Sequence, residues 1–169
     1  EDNFIEILLE GSDPNADELS FEIVSNPSYG IVSGTLPNIT YTPEQDFNGT
    51  DSFSFTVTDG EWISVAGVVT IIVSPINDAP VLVSIQDQSI NEDSELSINL
   101  FADDIDADAL YFSATADDNA NVNVEGQSLT VTPDPDFFGS IEVEVTVSDG
   151  LLTDSDTFTL NVVAVNDPM

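Results

Sequence analysis

The chain contains no lysine, arginine or histidine among its 169 residues, whereas Asp and Glu number 33, which gives a formal net charge of −33. No positive side chain can pair with a carboxylate, so each carboxylate is solvated, hydrogen-bonded to a neutral group or neutralised by a bound cation. Because binding phosphate requires Lys or Arg, nucleic acid and anionic membrane surfaces are poor partners. We therefore expect no nucleic-acid partner.

Cysteine is also absent, which excludes disulfides and thiolate metal sites. Without Cys, His or Lys, no Ser or Cys nucleophile can be activated. A pair of carboxylates would be enough to hydrolyse a glycosidic bond, but such a pair needs a cleft, and small repeats built from short turns leave little room for one. The sequence therefore predicts that the protein is not an enzyme.

Long apolar runs are missing too. None approaches the ~18 residues of a membrane span, so no membrane insertion is expected. No signal peptide is present at Glu1, and we expect the chain to be a piece of a longer protein. What the chain does have is material for a core, since 41% of its residues are hydrophobic and 10 are Phe. Acidic disordered chains are poor in such residues, so a folded protein is predicted.

The chain contains one unit twice. Three pairs of segments match in the same order: EDNFIEILLEGSDPNADELSF (1–21) with EDSELSINLFADDIDADALYF (92–112) at a spacing of 91, YTPEQDFNGTDSFSFTVTDG (41–60) with VTPDPDFFGSIEVEVTVSDG (131–150) at a spacing of 90, and SPINDAP (74–80) with AVNDP (164–168) at a spacing of 89. Matches that stay in register over the whole chain indicate tandem domains. We predict two, at residues 1–78 and 79–169.

Each repeat has the pattern of an all-β domain. Apolar residues alternate with polar ones around Phe53 and around Val145, so each run offers one apolar face to a core. Turn sequences such as SNPSYG, DFNG and NDAP separate the runs, and no helical period persists. The sequence therefore predicts two antiparallel Greek-key β-sandwiches arranged end to end.

The repeats differ where they start. The segment VLVSIQDQSI (81–90) is predicted to be the first strand of the second repeat, and the first repeat has no counterpart of it. Two explanations stay open: the first repeat is truncated, or a neighbouring chain supplies the strand, as in donor-strand polymers. Between the repeats, prolines flank Asn77 and Asp78 and predict a short, extended linker.

Two loops at matched positions alternate Asp or Asn with other residues: Asp13, Asn15 and Asp17 in the first repeat, and Asp104, Asp106 and Asp108 in the second. Calcium takes six to eight oxygen ligands, which closely spaced carboxylates and nearby carbonyls can supply. The start of an EF-hand loop also matches, but Glu18 and Ala109 stand where that loop requires Gly, so an EF-hand is excluded. We predict Ca²⁺ binding; the alternative is that the carboxylates only solvate a turn.

The combined pattern resembles the cadherin-type repeat, and in particular the bacterial cadherin-like tandem repeats of large surface and secreted proteins. The resemblance rests on YTP…DF.G.DSF.F.V.DG, on NDAP and on the acidic loops, and it spans nearly the whole chain. It implies an extracellular protein in which Ca²⁺ lies between consecutive domains. The ligands it implies between the repeats are Glu1, Glu44, Asn77, Asp78, Asp104, Asp106 and Asp149, with Asp108 as an additional candidate.

The pattern departs from the cadherins at two places. Pro75 replaces the leading acidic ligand of the linker, and the D-x-E pair before the middle strand is reduced to Glu44, so we expect one or two ions instead of the three of animal cadherins. The resemblance also implies half-sites toward flanking domains. These are Asp13, Asn15, Asp17 and Asp59 toward a preceding domain, and Glu92, Asp134, Asn166 and Asp167 toward a following one.

The predicted function is mechanical: a calcium-stiffened repeat that spaces or holds something on a bacterial surface, or forms a fibre shaft, with neighbouring domains of the same kind as its partners. The alternative is a carbohydrate-binding module of a secreted polysaccharide-degrading protein. Trp62 distinguishes the two hypotheses, because an exposed ring favours glycan stacking and a buried ring favours the spacer. We predict that Trp62 covers the sandwich edge or a neighbouring domain.

Overall fold

In a computed structural model, residues 1–166 are described, and every regular element among them is a β-strand. Contacts divide the chain into unit 1 (Glu1–Ile76) and unit 2, which begins at Asn77. The all-β fold predicted from the alternating runs is confirmed. Over the described range, no helix is long and apolar enough to cross a membrane.

Unit 1 consists of two antiparallel sheets with the strand orders β1-β4-β3 and β2-β5-β6. The long strand β5 begins at Gly49, whose φ of 135° is open to glycine but strained for other residues. The strands are β1 (Ile5–Leu8), β2 (Ser20–Ser25), β3 (Gly30–Thr35), β4 (Asn38–Pro43), β5 (Gly49–Thr58) and β6 (Gly67–Val73).

Unit 2 repeats this arrangement with the sheets β12-β13-β9 and β11-β14-β15-β8, and it adds the short pair β10-β7. The strands are β7 (Val81–Leu82), β8 (Gln88–Asn91), β9 (Leu96–Asn99), β10 (Ala102–Asp103), β11 (Tyr111–Ala116), β12 (Ala120–Glu125), β13 (Ser128–Pro133), β14 (Gly139–Ser148) and β15 (Thr153–Val163). The extra elements β7, β8 and β10 are what distinguish unit 2 from unit 1.

The segment predicted as one first strand of the second repeat is divided between two sheets. β7 pairs with β10, and β8 crosses over to pair with β15 in the parallel direction, an exception to the predicted antiparallel arrangement. Side-chain carboxylates accept hydrogen bonds from main-chain amides of this crossing segment, which runs from β7 to β8. Asp154 Oδ2 accepts from Leu82 N at 2.8 Å, and Asp156 Oδ2 accepts from Ile85 N at 2.7 Å.

The two cores differ in size. In unit 2, twelve buried apolar residues form one cluster, and Ile85 and Ile90 of the crossing segment pack against it. In unit 1, the corresponding cluster has three fully buried members, Leu9, Ile39 and Phe53. Without a counterpart of the crossing segment, the apolar faces of β5 and β6 in unit 1 are only partly covered.

Candidate metal-binding loops

The acidic loop of unit 2 is organised by its first aspartate. Asp104 Oδ1 accepts hydrogen bonds from the amides of Asp106 at 3.0 Å and Asp108 at 3.2 Å. Ala107 adopts φ of 60°, which closes the turn. The three aspartates each bring a carboxylate oxygen within 4.8 Å of the others. The loop therefore concentrates negative charge that no side chain of this chain can neutralise.

The loop of unit 1 has the same geometry. Asp13 Oδ1 accepts from the amides of Asn15 at 2.7 Å and Asp17 at 3.1 Å, and Ala16 adopts φ of 63°. Here the oxygens that lie within 4.8 Å of one another belong to Asp13, Asp17 and Asp59. Because the same contacts form twice, they follow from the local sequence of each repeat.

The aspartate of each D-G turn is held by main-chain amides. Asp59 Oδ1 accepts from Glu61 N at 2.8 Å and from Trp62 N at 2.7 Å. The amide of Trp62, and then that of Glu61, lowers the pKa of the Asp59 carboxyl below its ordinary value. These hydrogen bonds favour the ionised form of the carboxyl, which is the form that binds a cation.

In unit 2, the D-G aspartate is tied to the linker residues. Asp149 Oδ1 accepts from Leu151 N and Leu152 N, each at 2.6 Å, while Oδ2 accepts from Asn77 Nδ2 at 2.7 Å. The hydrogen bond from Asn77 is the main cause that lowers the pKa of Asp149. Asp78 N donates to Asp106 Oδ2 at 2.8 Å. Unit 2 thus brings together five of the predicted ligands, namely Asn77, Asp78, Asp104, Asp106 and Asp149, with Asp108 beside them.

A buried glutamate lies at matched positions of the two repeats. Glu1 Oε1 accepts from Ile76 N at 2.6 Å within unit 1, and Glu92 Oε1 accepts from Val165 N at 2.6 Å within unit 2. Both glutamates are buried. The repetition shows that each unit positions this carboxylate on a main-chain amide of its own, that of Ile76 in unit 1 and that of Val165 in unit 2.

Two of these carboxylates share a specific arrangement. One oxygen of Glu1 and one of Asp104 bind main-chain amides, while the second oxygen, Oε2 of Glu1 and Oδ2 of Asp104, is buried and has no hydrogen-bond partner. A buried carboxylate oxygen without a partner is costly, and buried polar atoms are nearly always satisfied. Carboxylate oxygens are the kind of ligand that a hard cation prefers.

The structure does not place the other predicted ligands in an acidic cluster within residues 1–166. Glu44 and Asp134 are exposed, and none of the acidic groups within residues 1–166 includes them. Asn166 is exposed, and Asp167 lies outside the described residues.

Sequence reasoning missed Asp2 and Asp46. Asp46 N donates to Asp2 Oδ1 at 3.3 Å, and the matched pair Asp136 and Asp93 is joined in the same way at 3.2 Å. All four have φ between 57° and 59°. Their recurrence at spacings of 90 and 91 residues was the signal available in the sequence.

Trp62 lies in the loop between β5 and β6 and is 77% exposed. Ile63 and Val65 beside it are also exposed. The prediction that Trp62 covers the edge of its own sandwich is therefore wrong. An isolated antiparallel β-bridge between Thr58 and Ile63 closes the start of the loop. The apolar side chains of the loop are left exposed to solvent.

Comparison with known proteins supports the repeat and the fold. A sequence profile described as a bacterial Ig domain matches residues 1–72 and again residues 77–163. No curated protein matches the chain in sequence. The predicted resemblance to bacterial cadherin-like and Ig-like repeats is confirmed by these two matches together with the structural neighbours.

Among solved structures, human protocadherin-24 EC1-2 is similar in two crystal forms. Form II has a TM-score of 0.61 at 17% identity, and the other form has 0.54 at 14%; each alignment covers 96% of this chain and 88% of that one. Likeness at this identity concerns the fold alone. An endo-fucoidan hydrolase of glycoside hydrolase family 107 aligns with a TM-score of 0.40 at 20% identity, over 97% of this chain and 27% of the hydrolase, so this chain spans only a minor part of that protein.

Proposed function

The chain belongs to the bacterial Ig domain family, and from this premise we propose that it is a calcium-stiffened structural or adhesive segment of a long extracellular protein. In this proposal, Ca²⁺ binds carboxylates at the end of unit 1 and the start of unit 2 and restrains the linker. Its partners are neighbouring domains of the same kind, and it has no catalytic activity.

One observation carries the proposal: the buried, unpartnered oxygens of Glu1 and Asp104. In both residues one carboxylate oxygen accepts a hydrogen bond from a main-chain amide, and the other is the oxygen that we propose binds a ligand. Because the chain has no Lys, Arg or His, that ligand must be a cation, a water molecule or another neutral donor. A divalent cation would offset the charge of several carboxylates at once, which a water molecule cannot do.

The residues take separate roles in this proposal. Glu1, Asp104 and Asp106 supply oxygens to the ion, and Asp78 adds another. Asp149 acts as a positioning residue, because both of its oxygens already accept hydrogen bonds and one of them holds the Asn77 amide. Asp108 lies at the exposed side of its loop and is a secondary ligand.

Chain continuity links the two halves. The Glu1 carboxylate accepts a hydrogen bond from the amide of Ile76. Asn77 is the next residue in the chain, and its side-chain amide donates to Asp149. An ion that binds Glu1 and the acidic loop of unit 2 would therefore restrain the rotatable bonds between residues 76 and 78. When calcium is removed, repulsion between carboxylates opposes a fixed linker.

The experiment is small-angle scattering of the full chain, in calcium and in chelator at matched ionic strength, because salt alone screens repulsion. The parent chain should be longer and less variable in its maximum dimension with calcium, and Asp104→Asn should not respond at the same calcium concentration. Asp118→Asn is the matched control, since it removes the same charge from an exposed turn. A parent chain that is equally extended in chelator would contradict the stiffening role.

The exposure of Trp62 favours glycan binding as a second candidate function. An exposed aromatic ring on a hairpin loop can stack against a sugar, and its burial would have argued against this role. Trp62→Ala should abolish glycan binding without changing calcium-dependent stability. Leu151→Ala is the control, because Leu151 lies in the matched loop and is 77% exposed as well. Absence of binding to a glycan array by the parent chain would exclude this candidate.

A further inference from the structure

Asn48 lies in a turn between β4 and β5 that does not require asparagine. Unit 2 has the same turn with Phe138 at the matched position. The two turns share their main-chain geometry, since the aspartate of each adopts φ of 57° or 59° and the closing glycine φ of 135° or 142°. Asparagine is common in turns because it tolerates the left-handed conformation, but in this turn Asp46 adopts that conformation and Asn48 does not. The backbone therefore does not explain the asparagine.

The side chain of Asn48 has no structural role either. It is exposed, and it takes part in no hydrogen bond within residues 1–166. The turn is held by its neighbours: Phe47 N donates to Glu44 O at 3.2 Å, and the Phe47 ring stacks on Tyr29 with 4.6 Å between the centroids. A side-chain amide that is exposed and unbonded is available for chemical modification.

Residues 48–50 have the sequence Asn-Gly-Thr, which fits the acceptor sequence N-x-[ST] of N-linked glycosylation. Two other asparagines of the chain, Asn26 and Asn38, also have Ser or Thr two positions later. Proline follows Asn26 and disqualifies it. The fold decides between the remaining two.

Asn38 is out of reach of a modifying enzyme in the folded protein. It belongs to β4, the middle strand of its sheet, and it pairs with Leu8 on one side and with Thr35 on the other. Ile39, the next residue, is 4% exposed. An enzyme could bind this segment only after it had left both neighbouring strands and exposed a core residue.

The segment after Asn48 is held on one side only. Gly49 and Thr50 pair with β6, whereas the pairing of β5 with β2 begins further along the strand. The Thr50 side chain lies on the exposed face of β5, because it alternates with that of the buried Asp51. Apart from its chain neighbours, a Cβ atom at Gly49 would meet only the Phe47 ring, at 3.5 Å. The acceptor is therefore open to approach, and only the first residues of β5 need to leave β6.

We propose that Asn48 is a glycosylation site, which receives an oligosaccharide from a lipid diphosphate donor through an oligosaccharyltransferase. Asn48 Nδ2 forms a bond to C1 of the first sugar, the bond between C1 and the diphosphate oxygen breaks, and the diphosphate leaves with that electron pair. The amide loses one proton to a base of the enzyme, and nothing is oxidised or reduced. An N-linked glycan is bulky and hydrophilic, so an exposed turn such as this one can carry it without disturbing the core.

In the cell, this modification requires export of the chain, and in that respect it rests on the proposed function. The test uses purified components, so it depends neither on export nor on the calcium sites. The folded full chain is incubated with a lipid-linked oligosaccharide and a single-subunit oligosaccharyltransferase that requires only the N-x-[ST] sequence. The readouts are the intact mass and the modified peptide after cleavage by chymotrypsin, since trypsin has no site in a chain without Lys and Arg.

The chain should gain the mass of one oligosaccharide, on the peptide that contains Asn48. Asn48→Gln and Thr50→Ala should each abolish this gain, and Thr50→Ser should keep it, because serine also completes the acceptor sequence. Asn38→Gln is the matched control and should leave the gain unchanged. Asn48→Gln should unfold at the same urea concentration as the parent, so its loss of modification cannot be ascribed to misfolding.

Phe138→Asn transfers the acceptor sequence to the matched turn of unit 2, where Gly139 and Ser140 follow and an aspartate precedes at the same spacing as in unit 1. This variant should gain a second oligosaccharide, and its failure to do so would contradict the role given to the shared turn. The synthetic peptide EQDFNGTDSFS (44–54) tests whether the enzyme accepts the local sequence.

The proposal is overturned if the peptide is modified and the folded chain is not, or if the folded chain is modified at Asn38 instead of Asn48. Lack of modification of both, in a reaction that consumes a standard acceptor peptide, overturns it as well. A chain that is modified at Asn48 but does not respond to calcium would contradict the proposed function and leave this proposal standing.

Discussion

Asp51 is the clearest place to perturb unit 1. Its carboxylate is 4% exposed, and no positive side chain exists to pair with it. Oδ1 accepts from Ser28 N at 2.9 Å and Ser52 N at 2.8 Å, and Oδ2 accepts from Tyr29 N and from the Tyr41 hydroxyl, each at 2.9 Å. Four hydrogen-bond donors therefore stabilise the buried negative charge of Asp51, in the place of a positively charged side chain.

The expected cost of Asp51→Asn follows from these contacts. The amide oxygen of asparagine can keep one pair of donors, while its NH₂ group faces the other pair. If the NH₂ group faces Tyr29 N and the Tyr41 hydroxyl, the hydroxyl can rotate to accept a hydrogen bond from it. The N–H of Tyr29 is then buried without a partner, which costs about 1–3 kcal/mol of unfolding free energy. The remaining bonds lose their charge assistance, about 1 kcal/mol or more. We therefore expect unit 1 to lose about 3 kcal/mol of unfolding free energy.

The pH dependence gives an independent check. Burial by itself would raise the pKa of Asp51, but the amides of Ser28, Tyr29 and Ser52 and the Tyr41 hydroxyl lower it below its ordinary value. A lowered pKa means that the carboxylate adds stability above the unfolded pKa of about 3.9, and that this stability is lost as pH falls through the folded pKa. The difference between the parent and Asp51→Asn should be constant near neutral pH and should shrink in acid.

The assay is urea denaturation in chelator, with hydrogen exchange at Ile39–Tyr41 to assign the transition to unit 1. Glu22→Gln is the control, because it removes one charge from an exposed position of β2. The reasoning is refuted if Asp51→Asn unfolds at the same urea concentration as Glu22→Gln at pH 7. It is also refuted if the difference between them persists unchanged well below the unfolded pKa.

Three further outcomes are expected. Leu129→Ala, at a fully buried position of β13, should destabilise unit 2 by about 2–5 kcal/mol in chemical denaturation and leave unit 1 unchanged, whereas an equal effect on both units would contradict their separate cores. Burial and the hydrogen bond to Asp51 raise the pKa of Tyr41 to about 12, so unit 1 should lose stability as pH rises from about 10 toward that value, and Tyr41→Phe should remove this loss. Calcium at ~10 mM should stabilise the parent chain by ~1.4–2.7 kcal/mol if the site binds at ~10⁻⁴–10⁻³ M; calorimetric scans that coincide in calcium and in chelator would contradict metal binding.

The repeat, the strands and the acidic loops could be predicted because their signals are local. Strand alternation has a period of two residues, and the hydrogen bonds of Asp13 and Asp104 reach amides at most four residues away. Such contacts form wherever the same short sequence recurs. The same reasoning applies to the turns that end in Gly49 and Gly139, which adopt φ of 135° and 142° in the two units.

The split of the first strand of unit 2 and its parallel pairing depend on distant residues. Asp154 and Asp156 hold amides that lie 72 and 71 residues earlier in the chain, and no short window around Val81–Asn91 contains them. The exposure of Trp62 could not be predicted from a short window either, because an aromatic residue after a turn is compatible with a covered edge and with an open one. Asp51 was also not identified, because three of its four donors lie on two other segments, residues 28–29 and β4.

The internal repeat shows where sequence reasoning ends. Asp51 and Ile141 occupy matched positions of β5 and β14, and both are buried. A carboxylate is compatible with that position only because the Tyr41 hydroxyl and the amides of residues 28 and 29 converge on it, whereas Val131 replaces Tyr41 in unit 2 and leaves an apolar site for Ile141. The sequence by itself determined that a strand lies there and which face is buried. Only the tertiary structure decided whether that buried position takes a charge, because the desolvation of a carboxylate is offset by donors that folding brings from elsewhere in the chain.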